Sequence, residues 1–263
     1  MRRRFFVDKF EPHSATLLGE TAEHLGRVLR AEPGQLCELS DGRRVWLARI
    51  ERVELPKRGE GRVDFELVEP VDAREPRLRV TLLLSLVKFD RFEWCLEKAT
   101  ELGVSEIVPL AASRSDKPLI AAAEKRSARW KKILVESSQQ SRRLHPPILR
   151  VVPLDERNGA TADYVSTPQL AFAASPADYK VTLSERPDAP SLRVVLAHWP
   201  SHLPEVAHDL SAALAIGPEG GWTDEELSAA RTAGFAEASL GENILRTETA
   251  VLAGMAILGF ALG

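Results

Sequence analysis

Within residues 1–72 the hydrophobic positions come in short runs. Arg4–Val7, Gln35–Ser40, Val45–Val53 and Arg62–Val68 are β-rich or alternate with period two, which predicts strands. Asp41-Gly42 falls between two of these runs and predicts a tight hairpin turn. One short helix fits Glu20–Leu29, with Leu25, Val28 and Leu29 on one side. Together these elements predict a small β-barrel over residues 1–72.

Beyond Asp72-Ala-Arg-Glu-Pro76 the pattern changes. Leu78–Val87 is almost continuously apolar, as expected of a strand covered on both faces. Asp90 is placed to cap a helix over Arg91–Leu102, with Phe92, Cys95, Leu96, Ala99 and Leu102 on one side and Gly103 at its end. Val104–Leu110 reads as the next strand, and a basic helix covers roughly Ala121–Ser141. Further strands are expected at Ile148–Val152, Leu170–Ala174, Leu192–Ala197, Ala213–Ile216 and Phe235–Leu240. Thr223-Asp-Glu-Glu226 is a capping box that opens a helix ending near Gly234, and an apolar helix starts near Thr247. Strands alternating with helices over residues 73–263 predict an α/β fold, a parallel sheet with helices on both faces. Thr161–Pro190 carries no clear pattern. The longest apolar run, Ala250–Gly263, is shorter than the roughly 20 residues of a membrane span. Asp8 and Lys9 interrupt the N-terminal apolar stretch before it reaches signal-peptide length.

Composition narrows this little. The chain has 263 residues, 44% hydrophobic and 28% charged, an ordinary globular mix that argues against disorder, collagen or coiled coil. Two cysteines, Cys37 and Cys95, cannot build a disulfide framework or a four-cysteine zinc site, which fits a reducing cytoplasm. Net charge is −3 but unevenly spread. Residues 114–150 hold ten basic side chains against three acidic ones, including Arg114, Arg126, Arg129, Lys132 and Arg143. Such a cluster suits a polyanion, since each cation near a phosphate releases counterions, and it equally suits a solvated helix face.

Several chemistries are absent from the sequence. There is no GxxxxGK[ST], HExxH, CxxC or GxSxG motif. His24, His145, His198, His202 and His208 show no metal-ligand spacing, so no metal is expected. Two glycine-bearing loops stand out instead. Ile216-Gly217-Pro218-Glu219-Gly220-Gly221-Trp222 follows a strand and precedes the capped helix; Leu240-Gly241-Glu242-Asn243-Ile244-Leu245-Arg246-Thr247-Glu248-Thr249-Ala250 again joins strand to helix. Open α/β sheets bind ligands at the carboxyl ends of their strands, so the two loops are either one pocket or two ordinary turns.

GPEGGWTDEEL followed by LGENILRTETA resembles the signature of the RsmE family, the 16S ribosomal RNA (uracil-N3)-methyltransferases of the SPOUT superfamily. The resemblance extends to His24-Leu-Gly-Arg-Val-Leu-Arg30, to Lys88 with Asp90-Arg-Phe-Glu-Trp94 and Lys98–Val104, and to Glu136–Arg143, which is similar to the family's EAxEQSxR stretch. Only roughly 160–200 lacks a match. Glu242-Asn243 stand where the family has Pro-Arg, and Ser138-Gln139 where it has Ala/Ser-Glu, while Gln140 and Arg143 are kept.

The resemblance implies an N-terminal PUA-like barrel over 1–72 and a SPOUT methyltransferase domain with a trefoil knot over 73–263. It implies a cytoplasmic homodimer that transfers a methyl group from S-adenosylmethionine to N3 of a uridine in 16S ribosomal RNA. Leu196, Gly217, Pro218, Glu219, Gly220, Gly221, Leu240, Gly241, Ile244, Leu245 and Thr249 are then expected to hold the cofactor, and Arg246 to act in catalysis. RNA contacts are expected from Arg2, Arg3, Arg4, His24, Arg27 and Arg30 in the barrel, and from Arg114, Arg126, Arg129, Lys132, Gln140 and Arg143. Close backbone approach to the ligand is expected at Gly220. The small residues Ala250, Gly254, Ala256 and Gly259 fit a tight helix contact, across a dimer or within one chain. A related enzyme acting on another RNA position, or a non-catalytic RNA-binding assembly factor, would share these features.

Overall fold

The computed structural model describes residues 3–56, 59–73, 75–151, 165–199 and 210–263. Arg2, Val152, His202 and His208 lie outside them. Contacts divide the chain into two units, one made of residues 1–75 with 138–146, the other of 76–137 with 147–263.

The first unit is a curled five-stranded sheet. Its strands are β1 (Arg4–Phe6), β2 (Ser14–Leu18), β3 (Leu36–Ser40), β4 (Val45–Glu54) and β5 (Arg62–Val71), in the order β1-β3-β4-β5-β2. Alternation drives the burial: Ala15 and Leu17 of β2 face Val63 and Phe65 of β5 across an antiparallel ladder, and all four are buried. The period slips at Leu47 and Ala48, both buried, where a register shift interrupts the ladder to β5. The Asp41 carboxylate closes the predicted hairpin by accepting the N–H groups of Arg43 and Arg44 at 2.9 and 2.7 Å. The expected helix is α1 (Gly19–Glu23), which runs into a π-helical turn over His24–Val28. Strand β2 carries only a weak local signal, with buried Ala15 and Leu17 set among Ser14 and Thr16.

A buried ion pair ties this unit together. Arg4 and Glu38 sit opposite each other on β1 and β3, each 6% exposed, with the guanidinium donating to one carboxylate oxygen at 2.8 and 3.1 Å. Arg4 also donates to the Arg142 carbonyl at 2.6 Å, and the Ser40 hydroxyl to the Leu144 carbonyl at 2.6 Å. Segment 138–146 is thereby fastened to strands β1 and β3. Arg142 adopts φ +55°, a left-handed conformation that an L-residue keeps only when its surroundings enforce it.

The second unit carries a six-stranded, wholly parallel sheet. Its elements are β6 (Leu78–Ser85), α2 (Phe89–Glu101), β7 (Glu106–Leu110), α3 (Lys117–Gln140, whose last residues count with the first unit), β8 (Ile148–Leu149), α4 (Pro168–Ala173), β9 (Tyr179–Leu183), α5 (Leu192–Ala197), β10 (Leu210–Ile216), α6 (Asp224–Thr232), β11 (Ala236–Ala238) and α7 (Thr247–Leu262). Strand order is β11-β9-β10-β6-β7-β8. Both faces are covered, as the continuous apolar runs demand. Leu82 and Leu84 pack with Phe92, Leu96, Trp130, Val251 and Met255 on one side; Leu83, Ala213 and Ala215 pack with Phe172, Trp222, Leu227 and Phe235 on the other. Helices α6 and α7 therefore lie on opposite faces.

Three expectations are corrected. Leu170–Ala174 and Leu192–Ala197 are not strands but belong to helices α4 and α5. Their buried positions, Pro168, Ala171 and Phe172, then Leu192 and Val195, recur every three or four residues, and Pro168 occupies the first turn where its missing N–H costs nothing. The strand of that region is β9, in the stretch without pattern. Asp90 does not cap α2: Lys88 holds the N-cap position and Asp90 lies inside the first turn, where its charge favours the helix N-terminus. Among the described residues no helix is long and apolar enough to cross a membrane.

Removing one partner of a buried ion pair leaves a stranded charge, at a cost of about 3–5 kcal/mol. Glu38→Ala is expected to destabilise the protein by that amount, and the pair Arg4→Met with Glu38→Leu by less. Calorimetric unfolding of the three variants checks the order.

Candidate active site

Strands β11, β9, β10 and β6 are neighbours and parallel, so the loops leaving their carboxyl ends meet on one side of the sheet. There they line a cavity of about 340 Å³, in the size range of small-molecule sites. The lining comes from Leu183–Glu185 after β9, from 216–219, 221 and 222 after β10, and from 239–246 after β11. Thr247 and Ala250 of α7 and Arg91 of α2 complete it.

The loop after β10 is shaped locally. Gly221 donates its N–H to the Pro218 carbonyl at 2.8 Å and sits at φ +69°, where a Cβ would be strained and would lie 3.0 Å from a Glu185 carboxylate oxygen. Gly220 does not line the cavity, and a Cβ there would meet the Arg114 side chain at 3.3 Å. Trp222 is buried and its indole N–H donates to the Leu183 carbonyl at 2.9 Å, which fixes this loop to the end of β9. The capping box forms as read, with Thr223 Oγ1 accepting from Glu226 N at 3.2 Å and Glu226 Oε2 accepting from Thr223 N at 2.8 Å.

The second loop ends at Arg246, the extended N-cap residue of α7, whose side chain is exposed at the cavity. Thr247 is buried, with its hydroxyl 3.5 Å from the Gly217 carbonyl of the first loop. Arg91 pairs with Glu219 and places Nε 3.9 Å from Glu248 Oε1. The other Glu248 oxygen is buried without a hydrogen-bond partner. The cavity wall thus holds the carboxylates of Glu185, Glu219 and Glu242 against the guanidiniums of Arg91 and Arg246. Cys95 is no nucleophile: burial, helped by Glu248, pushes its thiol up to about 12, and burial does the same to Cys37. Among the described residues no cluster of three or more His, Cys, Asp or Glu is placed to hold a metal ion.

The sequence profile of an RNA methyltransferase domain matches residues 74–259. The ribosomal RNA small subunit methyltransferase E of Synechocystis sp. is 32% identical over 240 residues, 90% of this chain and 70% of that protein. This chain belongs to the ribosomal RNA small subunit methyltransferase E family. The Bacillus subtilis member is 29% identical, covering 98% of this chain and 96% of its own. The crystal structure of the Neisseria gonorrhoeae member, bound to S-adenosylmethionine, superposes with a TM-score of 0.77 at 29% identity, over 99% of this chain and 98% of that one.

Of the cofactor residues that the family resemblance implied, Gly217, Pro218, Glu219, Gly221, Leu240, Gly241, Ile244 and Leu245 line one cavity together with Arg246. Gly220, Thr249 and Leu196 do not. Thr249 is exposed on α7, and Leu196 packs against the apolar core from α5. Arg91, Glu185 and Trp222 also line the cavity but were not among the residues expected to hold the cofactor. Arg91 stands inside the methyltransferase E family's central block, but nothing local aims it at loops more than a hundred residues away.

The implied RNA residues are placed variously. In the second unit, Arg114 is exposed and donates Nη1 to the Gly220 carbonyl at 2.7 Å. Arg126 and Arg129 reach Glu93 at 3.5 and 2.8 Å, with Arg126 lying 4.8 Å over the Phe89 ring, and Lys132 is exposed. In the first unit, Arg3, Arg27, Arg30 and Gln140 are exposed and His24 is half-buried. Arg4 is withdrawn from any surface role, because its guanidinium is buried and spent on Glu38 and a carbonyl. Arg143 is half-buried, and desolvation pushes its guanidinium down to about 10, so it stays charged at neutral pH.

The two adjacent glycines give a direct check on the pocket wall. Gly221→Ala is expected to lose about 1–2 kcal/mol, the cost of a left-handed L-residue. Gly220→Ala is expected to cost less than Gly221→Ala, since no left-handed backbone is required there and the Arg114 side chain need only give way by a few tenths of an ångström. Paired thermal melts measure the difference.

Proposed function

We propose that this chain methylates N3 of a uridine in 16S ribosomal RNA, with S-adenosylmethionine held between the two glycine-bearing loops. The observation that carries the reading is the convergence of 216–222 and 239–246 on one cavity at the carboxyl ends of parallel strands, with Arg246 at its edge. The residues suit the cofactor. Gly217, Gly221 and Gly241 bring main chain to the wall, and three carboxylates against two guanidiniums favour a ligand with a sulfonium charge. When bound, the cofactor supplies an activated methyl group.

The chain's own part is positioning and charge. Arg246 stands at the N-terminus of α7, where the helix dipole adds to its positive field. There it stabilises the uracil anion that forms as the N3 proton leaves, and its planar fork suits hydrogen bonds to the ring carbonyls. Solvent takes the proton. The base is presented unpaired, since N3 is hidden in a paired uridine.

The rest of the assignment follows the same reading. The first unit is a PUA-like barrel that holds RNA through Arg3, His24, Arg27 and Arg30, joined by Gln140 and Arg143. The second carries a trefoil knot, in keeping with a chain that crosses β9 through α6 on one face and returns as α7 on the other. The enzyme works in the cytoplasm as a homodimer. Its α7 exposes Ile257 and Phe260, the latter 92% open, beside Ala256 and Gly259, a strip suited to a second copy. Gly254 belongs to the chain's own core instead, since a Cβ there would lie 2.8 Å from Leu214.

Arg246→Ala is expected to slow single-turnover methyl transfer to small-subunit RNA roughly 100- to 1,000-fold, about 2.7–4 kcal/mol, while cofactor affinity changes far less. Arg246→Lys keeps the charge and part of the rate. Normal turnover in the alanine variant, or a loss explained by cofactor binding alone, removes the catalytic role. Mass spectrometry of the product nucleoside tests the N3 assignment.

Lys125, Arg129 and Lys132 recur at i, i+4 and i+7 and form one exposed strip of α3. Replacing Lys125 and Lys132 by Gln is expected to flatten the dependence of log RNA affinity on log salt, by about 0.7 for each single-strand phosphate no longer neutralised. Filter binding across a salt series reads the slope, and an unchanged slope returns the strip to solvent.

A further inference from the structure

A capping box occupies only one oxygen of its carboxylate. Glu226 uses both. Oε2 accepts the Thr223 N–H, and Oε1 accepts the N–H of Ser113 at 2.8 Å, in the loop between β7 and α3. The residue is 1% exposed, so its carboxylate is shielded from water. The same loop holds the segment after β10 a second time, beside the wall residue Gly221, where Arg114 Nη1 donates to the Gly220 carbonyl at 2.7 Å. It is itself pinned to the end of β6, since the Ser115 hydroxyl donates to the Leu86 carbonyl at 2.8 Å.

We propose that Glu226 is a positioning residue that sets cofactor affinity. Its carboxylate bridges the 111–116 loop and the 217–223 loop and holds the latter in the shape the pocket requires. The inference rests on the reading of that pocket as the S-adenosylmethionine site. A buried carboxylate suits the task because it is acceptor-only on both oxygens. Glutamine keeps the shape but turns one end into a donor, so either the Ser113 or the Thr223 N–H faces another N–H. Aspartate is one methylene too short to span both. The basic helix α3 leaves this same loop, so the bridge also joins the proposed RNA-binding segment to the cofactor wall.

The test combines cofactor titration with amide hydrogen exchange on the full-length protein without cofactor. Glu226→Gln is expected to weaken S-adenosylmethionine about tenfold, the effect of one buried N–H losing its acceptor. Turnover at saturating cofactor should change less than about threefold. Exchange should quicken in 111–116 and 217–223 together. Thr223→Ala removes the hydroxyl half of the cap and keeps the carboxylate; it should leave affinity within about twofold and 111–116 protected. Glu226→Asp, too short to reach both N–H groups, should quicken exchange in the same two segments, and this variant carries the test if Glu226→Gln does not fold. Wild-type affinity in Glu226→Gln, or equal losses in the Thr223 and Glu226 variants, overturns the proposal. So does faster exchange confined to α6, or an unchanged 111–116 and 217–223 in Glu226→Asp. Should the wild-type protein fail to bind S-adenosylmethionine, the cofactor reading falls, and the exchange data still decide whether the bridge exists.

Discussion

Everything at the site depends on the parallel sense of the central strands. A parallel sheet delivers every strand's carboxyl end to the same edge, so the segments that follow β9, β10 and β11 have no choice but to crowd together. Antiparallel pairing of any one of them would send its loop to the far edge and open the cavity. The cost of this arrangement is that both sheet faces need cover, which explains why β6 and β10 are apolar at successive positions and why helices occupy both sides.

Crowding alone does not make a wall. Loops are held in place here by buried polar groups spent on main-chain partners: the Trp222 indole on the Leu183 carbonyl, the Glu226 carboxylate on two N–H groups, the Ser115 hydroxyl on the Leu86 carbonyl. Each satisfies a group that would be expensive to bury unpaired. Around that stiff frame the charged side chains are more open, with Arg246 and Glu242 exposed and Arg91 shared between two carboxylates. The division suits a site that must bind one molecule firmly and admit a second, much larger one.

Features written in adjacent residues were readable before the structure. The capping box, the Asp41 turn and the apolar strand expected over Leu78–Val87 all announce themselves within a few positions, and each forms, the strand over Leu78–Ser85. The two loops could be named as candidates because glycine clusters between strand and helix are local signals too. What could not be read was pairing across the chain. Leu192–Ala197 looks like a strand because consecutive Val residues favour one, while its packing follows a helical period. Strand β9 lacks alternation because its first two residues are half-buried, and it gains its place only between β10 and β11. Arg91, Glu185 and the second bond of Glu226 share this origin: the partner lies far away in sequence. Arg4 shows the converse error, since a basic terminus looks solvent-facing until its acceptor on β3 is known.

The ion pair of Arg4 and Glu38 has a consequence for modularity. The acceptor that completes the Arg4 guanidinium, the Arg142 carbonyl, and the one that receives the Ser40 hydroxyl, the Leu144 carbonyl, arrive from the end of a helix that begins at Lys117. No single scission separates this folding unit intact. A fragment ending at residue 75 would carry a buried cation short of one acceptor and a buried hydroxyl with none. Gene fusion or shuffling at that boundary therefore transplants an unfinished module.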